Sequence, residues 1–374
     1  MLFVCVGVDL RSTPLYSSAA SDGYKGQGWM GNRVNVLGSG VLLLAALSAG
    51  CANAGEVASR QWTDAHLHYV DFTQDSEGAQ AMIAAMDEAG VERAWVFGLP
   101  VMKKWQAEAP RRPRYYLGDE APLYYYSATD DIVAQAVLSL PKQQQARLQP
   151  FISGFNPTDM HAAEQVEHLI ERYPGLWQGV GEILTRHDQL TALTEGETPR
   201  ANHPALMKVY AMAGRYDLPV LLHSNLTSLR EETPIYLGEL EEALSEHPGT
   251  RFLLAHAGTS GGVEERQAPL GTLPPILRAL LSRYENLYID LSWSVKDHYL
   301  IDDGVPSEEW LALIREFPDR FTLGTDLVGH FDSMERVLGE YEPLLEALPK
   351  KVAEQLSHGN ADALVPKKGA APLP

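Results

Sequence analysis

The chain has 374 residues, 45% of them hydrophobic and 21% charged, with a formal net charge of −19. This is a globular composition, with enough chain for one large domain or two ordinary ones. The acidity argues against a nucleic-acid partner, which needs a basic surface, and serves solubility. Only Cys5 and Cys51 are available as thiols, so the body of the chain can build neither a disulfide framework nor a thiolate metal site. A metal bound there must rest on His, Asp and Glu.

Residues 1–51 read as an export segment. Arg33 precedes the apolar stretch 34–50, and small residues follow it, the pattern of a secretory signal. The stretch is short of the about 20 apolar residues of a membrane span. Met30 is a natural start, which would make 1–29 an upstream assignment. Leu47-Ser48-Ala49-Gly50-Cys51 is similar to a bacterial lipoprotein box, in which Cys51 is lipidated, with Ser48 departing from its usual spacing. Ala52-Asn53-Ala54 instead fits a peptidase site that releases a soluble chain from Gly55. The first reading is favoured. It expects export to the bacterial periplasm or cell envelope, with membrane contact only through that anchor. The expected division is an export segment at 1–51 and one domain at 52–374.

From Gln61 onward, short apolar runs alternate with amphipathic ones. Strands are expected at 62–69, 93–101, 148–156, 178–184, 218–225, 251–257, 287–293 and 321–328. Helices are expected at 78–89, 162–173, 204–216, 236–247, 274–284, 307–317 and 333–348. In the first of these, Met82, Ala85, Met86 and Ala89 form one face, and Gly90 stops it. Eight strands alternating with helices predict an α/β chain folded as a (β/α)8 TIM barrel, with long loops at its C-terminal face. A doubly wound sheet would ordinarily use fewer strands, and the chain has no glycine-rich nucleotide fingerprint. The long connections 102–126, 185–203, 258–272 and 294–306 all follow strands, and in a barrel such loops surround the active site.

The first strand carries His66 and His68. Residues two apart on a strand share a face, so both imidazoles can address one point. Such a pair arises by chance in many proteins and says little alone. The fourth strand then ends in Glu182, the fifth in His223, the sixth in His256 and the eighth in Asp326. A barrel brings these ends around one axis, so four histidines and two carboxylates converge. Buried polar groups without partners are costly, and so many at matching strand ends predict a divalent-metal site, most naturally for zinc. His187, His298 and His330 lie in loops just beyond strands and are within reach of a substrate.

These marks resemble the amidohydrolase superfamily, most closely its amidohydrolase-related (amidohydrolase-2) branch, over residues 62–364. They are Asp64-Ala65-His66-Leu67-His68, Gly179-Val180-Gly181-Glu182-Ile183, the two histidine strand ends, Gly324-Thr325-Asp326 and Gly359-Asn360-Ala361. The resemblance implies that His66, His68 and His223 bind a metal. It also implies that Asp326 completes that site and handles the proton of the attacking water. His256 is then a ligand of a second ion or a hydrogen-bonding residue beside a single one. Glu182 resembles the bridging glutamate of two-metal members, also seen in TatD-like nucleases, although one ion is favoured. The expected catalytic residues are Asp326 and His256, and those for substrate binding are Arg186, Trp293 and His298.

The expected activity is hydrolysis of an amide, ester or lactone bond in a small molecule by metal-activated water. The alternatives are decarboxylation of an aromatic or enoic acid on the same scaffold, a nuclease disfavoured by the charge, and a non-enzymatic metal-binding lipoprotein.

Overall fold

The computed structural model describes residues 60–366, apart from 107, 109, 188, 232, 262, 264–272 and 294. The export segment 1–51, both processing readings at Cys51 and 52–54, part of the 258–272 connection and the tail from 367 lie outside the described residues.

The sheet is built from β1 (Trp62–His68), β2 (Val91–Phe97), β3 (Leu148–Ile152), β4 (Gly179–Thr185), β5 (Val220–Ser224), β6 (Phe252–Leu254), β7 (Leu287–Asp290), β8 (Phe321–Thr322) and β9 (Leu327–Val328). Neighbours in this order pair in parallel, except that β8 pairs only with β7 and β9 only with β1. β8 and β9 are two halves of one barrel strand, interrupted at 323–326. Across the break the Ala65 N–H donates to Leu323 O at 2.9 Å, and the Asp326 N–H donates to His66 O at 2.7 Å. These bonds close the ring, and the fold is the expected eight-stranded α/β barrel.

Helices α1 (Ala79–Glu88), α2 (Ala128–Ser139), α3 (Ala162–Arg172), α4 (Pro204–Arg215), α5 (Leu237–Glu246), α6 (Leu273–Arg283) and α7 (Glu308–Glu316) connect successive strands, and α8 (Met334–Gly339) follows the last. Sequence reading missed α2. Its buried Val133 and Val137 stand at helical spacing, but polar residues and a long preceding loop obscure them. The expected helix at 333–348 is two, α8 and Glu342–Glu346, with Pro343 in the first turn of the second. A proline there lacks the N–H that a continuing helix would need. Four strands also stop earlier than expected: β2 at Phe97, β3 at Ile152, β6 at Leu254 and β7 at Asp290.

Inside the ring, Ala65, Trp95, Phe97, Phe151, Leu221, Leu253 and Ala255 fill the barrel, with Ala361 and Leu364 entering from below. The C-terminal turn Asn360–Leu364 is tied to the strand starts. Asn360 Nδ2 donates to Phe321 O at 2.8 Å, and Thr63 Oγ1 donates to Asp362 Oδ1 at 2.9 Å. A larger apolar layer, including Met82, Met86, Val209, Leu222, Leu277 and Trp310, packs between strands and helices. Burying each such side chain stabilises the fold by roughly 1.5–3 kcal/mol.

Two irregularities in the sheet aim the polar residues. Asp64 and Leu67 of β1 stand opposite Ala94 and Val96 of β2, so β1 carries one extra residue. After that bulge, His66 and His68 face inward while Leu67 joins the outer layer. In β4, Val180 and Ile183 stand opposite Val220 and Leu222, a second extra residue. Both join the outer layer, which leaves Glu182 facing the axis. A bulge re-aims a side chain in this way. Gly181 makes the second one possible: its φ is 126°, and a Cβ there would strike Leu221 O.

Gly324 answers a different need, close approach, since a Cβ on it would lie 2.6 Å from His66 Cβ and 2.7 Å from His66 N. Gly324→Ala is expected to destabilise the fold by about 1–3 kcal/mol, the usual range for overpacking. Denaturant unfolding measures it, and an unchanged midpoint would show that the strand break tolerates displacement.

Candidate metal centre

Each residue of the centre is held by a strand end. His66 and His68 come from β1, Glu182 from β4 and His223 from β5. His256 follows β6, and Asp326 lies between β8 and β9. Backbone strain gathers here. Arg186, His256, Ala257, Trp293 and Asp326 all have positive φ, between 47° and 57°. Such conformations cost of order 1–3 kcal/mol each and persist where the surroundings dictate them.

The hydrogen bonds around the four histidines fix which nitrogen faces the centre. His68 Nδ1 lies 3.1 Å from Gly98 O, a pure acceptor, so Nδ1 carries the proton and Nε2 the lone pair. His66 Nδ1 donates to Asp290 Oδ2 at 2.9 Å. Ser292 Oγ donates to Asp290 Oδ2 at 2.5 Å and is therefore free to accept from His256 Nδ1 at 3.0 Å. His223 is turned the other way. Asn225 Nδ2 donates to Ser260 Oγ at 3.1 Å, which leaves Asn225 Oδ1 to accept from His223 Nε2 at 3.2 Å. The inward set is thus Nε2 of His66, His68 and His256 and Nδ1 of His223.

Two carboxylates meet these nitrogens. Glu182 Oε1 is 3.1 Å from His223 Nδ1, 3.4 Å from His256 Nε2 and 3.8 Å from His66 Nε2, while its Oε2 is 3.5 Å from His68 Nε2. Asp326 Oδ1 is 3.3 Å from His66 Nε2 and 3.2 Å from His68 Nε2, and its Oδ2 is 3.9 Å from His256 Nε2. Burial disfavours charge on Glu182, yet the bonds from His223 and His256 and the charge of His66 outweigh it and hold the carboxyl well below its usual range. Burial likewise opposes charge on Asp326, which His66, His68 and His256 overcome. Burial pushes His66 down, but Asp326, Asp290 and Glu182 raise it to about 10. Burial lowers His223, only partly offset by Glu182.

The donor set fits a divalent ion. His66, His68 and Glu182 bring ligand atoms within 4.8 Å of one another, as do His66, His256 and Asp326, and Glu182, His223 and His256. His66 Nε2 is buried without a hydrogen-bond partner. Imidazole nitrogens and carboxylate oxygens with no thiolate suit zinc and similar first-row ions, and a dication can take the place of the protons that otherwise balance the carboxylates.

The sequence singled out neither Asp290 nor Asp64 for a role here. Asp290 is fully buried and braces two of the histidines, His66 directly and His256 through Ser292. Its signal was available, since it ends the apolar run Leu287-Tyr288-Ile289 as the other site residues end theirs. Asp64 accepts from Thr325 N at 2.9 Å, Thr325 Oγ1 at 2.6 Å and His66 N at 3.1 Å. It ties the strand break, and so Asp326 beside it, to β1. Burial raises Asp64 to about 6 against those bonds.

Among the residues expected to bind substrate, Trp293 lies at the centre, its ring 5.1 Å from that of His256. Arg186 does not. Its Nε donates to Glu239 Oε2 at 2.9 Å and its guanidinium covers the Tyr236 ring at 4.3 Å, because its positive φ turns it outward toward α5. His298 is exposed and lines neither cavity described below. His187 is buried against His223, and His330 is part-exposed beside Asp71 and Glu77.

An inner cavity of ≈ 30 Å³ is lined by His68, Glu182, His187, His223, His256 and Asp326, under Tyr116 and Trp293. An outer cleft of ≈ 290 Å³ shares Tyr116, Trp293, Asp326 and Val328 with it and reaches Lys296, His330 and Arg336. Trp293 and Tyr116 line both spaces and stand between them. The Tyr116 loop is knotted by buried Lys103, whose Nζ donates to Arg114 O at 2.9 Å, Tyr116 O at 2.6 Å and Asp119 Oδ1 at 2.7 Å. Sequence reading marks this loop only as one of the long connections, and nothing in its pattern tells which tyrosine turns inward.

Asp290→Asn keeps the shape of the brace but removes its charge. Partners that orient metal-bound histidines typically matter about 10–100-fold for affinity, so that weakening of Zn²⁺ binding is expected by competitive chelator titration. Unchanged affinity would show that Asp290 only supports the fold.

Comparison with known proteins agrees with this architecture. The amidohydrolase family model matches residues 185–367. An uncharacterized TIM-barrel protein from Bordetella bronchiseptica superposes with a TM-score of 0.50 at 18% identity, covering 81% of this chain and 98% of its own. A protein described as a probable 2-pyrone-4,6-dicarboxylic acid hydrolase from Acinetobacter baumannii gives 0.50 at 16% identity, with 81% and 98% covered. A 2,6-dihydroxybenzoate decarboxylase from Rhizobium gives 0.48 at 15%, with 82% and 98% covered. Curated protein sequences gave no match. At these identities the two superpositions at a TM-score of 0.50 speak for the barrel alone, and the sequence match makes residues 185–367 similar to the amidohydrolase family.

Proposed function

We propose that the protein is a metal-dependent hydrolase of an amide, ester or lactone bond in a small molecule. The observation that carries this reading is the set of overlapping ligand groups that His66, His68, Glu182, His223, His256 and Asp326 form, with His66 Nε2 buried and without a hydrogen-bond partner. One ion accounts for the spacing best. Ligands about 2.0–2.1 Å from a tetrahedral zinc stand about 3.3 Å apart, close to the 3.2 and 3.3 Å from Asp326 Oδ1 to His68 and His66. His66, His68, Glu182, His223 and Asp326 would hold it, with His256 beside it as a hydrogen-bonding residue.

A bound Zn²⁺ supplies Lewis acidity and lowers the pKa of a water toward about 7. The chain's own residues do the remaining work. Asp326 presents Oδ1 to His66 and His68, which leaves Oδ2 to accept a proton from the attacking water and return it to the leaving group. His256 has its Nδ1 fixed by Ser292, and burial lowers its pKa but Glu182 and Asp326 raise it above the ordinary value. As an imidazolium it also carries a proton on Nε2, which donates into the cavity to negative charge developing on the carbonyl oxygen. Tyr116 and Trp293 cover the cavity and keep bulk water from it. Export is part of the proposal and rests on Arg33 and the apolar stretch 34–50. Recovery of the chain only from the cytosolic fraction would remove that part.

Asp326→Asn is expected to retain the fold while lowering turnover by about 10²–10⁴-fold, the usual contribution of a general base. The assay is a metal-loaded screen over esters, lactones and amides, with carbon dioxide followed on carboxylated substrates. Full activity in the variant removes Asp326 from its role, and carbon dioxide release without hydrolysis makes the protein a decarboxylase.

A further inference from the structure

His187 stands at the inner cavity without a part in the centre. It is 3% exposed and lines the cavity beside the metal-site residues, yet it belongs to none of the clustered ligand groups. Its Nδ1 is buried with no hydrogen-bond partner. The ring is nevertheless held firmly. It stacks on His223 at 4.3 Å and 23°. Its carbonyl accepts from Leu190 N at 3.0 Å and from Thr191 N and Oγ1 at 2.7 Å each.

Placement therefore rests on stacking and on backbone bonds, and leaves Nδ1 without a hydrogen-bond partner. A side chain kept for packing alone would be apolar, as the cavity neighbours Leu184 and Leu190 are, because burying an unpaired ring nitrogen is unfavourable. An imidazole offers one donor and one acceptor on different edges, and the partner has to come from what the cavity holds.

We propose that His187 contacts the substrate, hydrogen-bonding an oxygen substituent on the carbon next to the reacting carbonyl. The position follows from the stacking. His223 belongs to the centre, so a group that meets the adjacent ring is only a bond or two from the reacting atom. The substituent has to be small, because the reacting carbonyl shares the same inner cavity of ≈ 30 Å³. The substrate class is thus a 2-hydroxy or 2-oxo acyl compound, an assignment that rests on the hydrolase reading.

Binding tests this without requiring turnover. Calorimetric titration of the zinc-loaded full chain with lactate and propionate compares two acids that differ only in that hydroxyl. Lactate is expected to bind about tenfold tighter or better, as sites with a dedicated polar partner discriminate. His187→Phe, which keeps a flat ring against His223, is expected to bring the two within about twofold at unchanged metal content and melting temperature. His187→Gln, with a donor and an acceptor restored, regains part of the preference. Equal affinities in the wild type, or a preference that survives in His187→Phe, overturn the assignment. So does loss of metal in His187→Phe, which would make the ring a support for His223. A failure of the hydrolase reading shows separately, as absent turnover in a wild type that still prefers lactate.

Discussion

Glu182 and Asp326 are two carboxylates buried within reach of the same imidazoles, and the arrangement around them follows from the need to compensate their charge. Buried anions are tolerated only when paired and hydrogen-bonded. Here the pairing comes from four histidines whose outward nitrogens are spoken for by Gly98, Asp290, Ser292 and Asn225. Those outer partners leave every inward nitrogen with a single task. They also explain why a third buried carboxylate, Asp290, lies beside the first two: it holds two rings in the orientation that the centre requires.

The barrel supplies this arrangement by departing from regularity where the site is. β1 and β4 each carry an extra residue, the eighth strand is broken at 323–326, and the residues after β4, β6 and β7 turn into left-handed conformations. Regular strands would point His66 and Glu182 elsewhere. The cost is met by a packed interior, closed from below by the Asn360–Leu364 turn. Rigidity below and irregularity above are what a site needs when several strands must place atoms within a few tenths of an ångström.

Much of this was legible in the sequence. The alternation of apolar runs showed the barrel, and ionisable residues at the ends of those runs marked the six side chains that the structure brings together. What escaped reading depends on context that periodicity does not carry. The β1 bulge is invisible because Ala65, His66 and Leu67 look like ordinary alternation. α2 was hidden by Asp130 and Asp131, whose position in a first helical turn is favourable only once the helix is known. Arg186 looked like a substrate-binding residue because its partner Glu239 lies 53 positions away on α5. His187 could be placed near the site, but an unpartnered nitrogen is a property of packing. Asp290 is the instructive miss, since it obeys the same strand-end rule as the others.

The central claim is that His66, His68, Glu182, His223 and Asp326 form one ion's coordination shell, with His256 beside it. X-ray absorption at the zinc edge of the loaded protein tests it most directly. A single zinc per chain is expected, with imidazole nitrogens and carboxylate oxygens about 2.0–2.2 Å away and no second metal in the scattering. A shell without imidazole would contradict the site itself, and a zinc–zinc vector near about 3.5–4 Å would contradict the single ion.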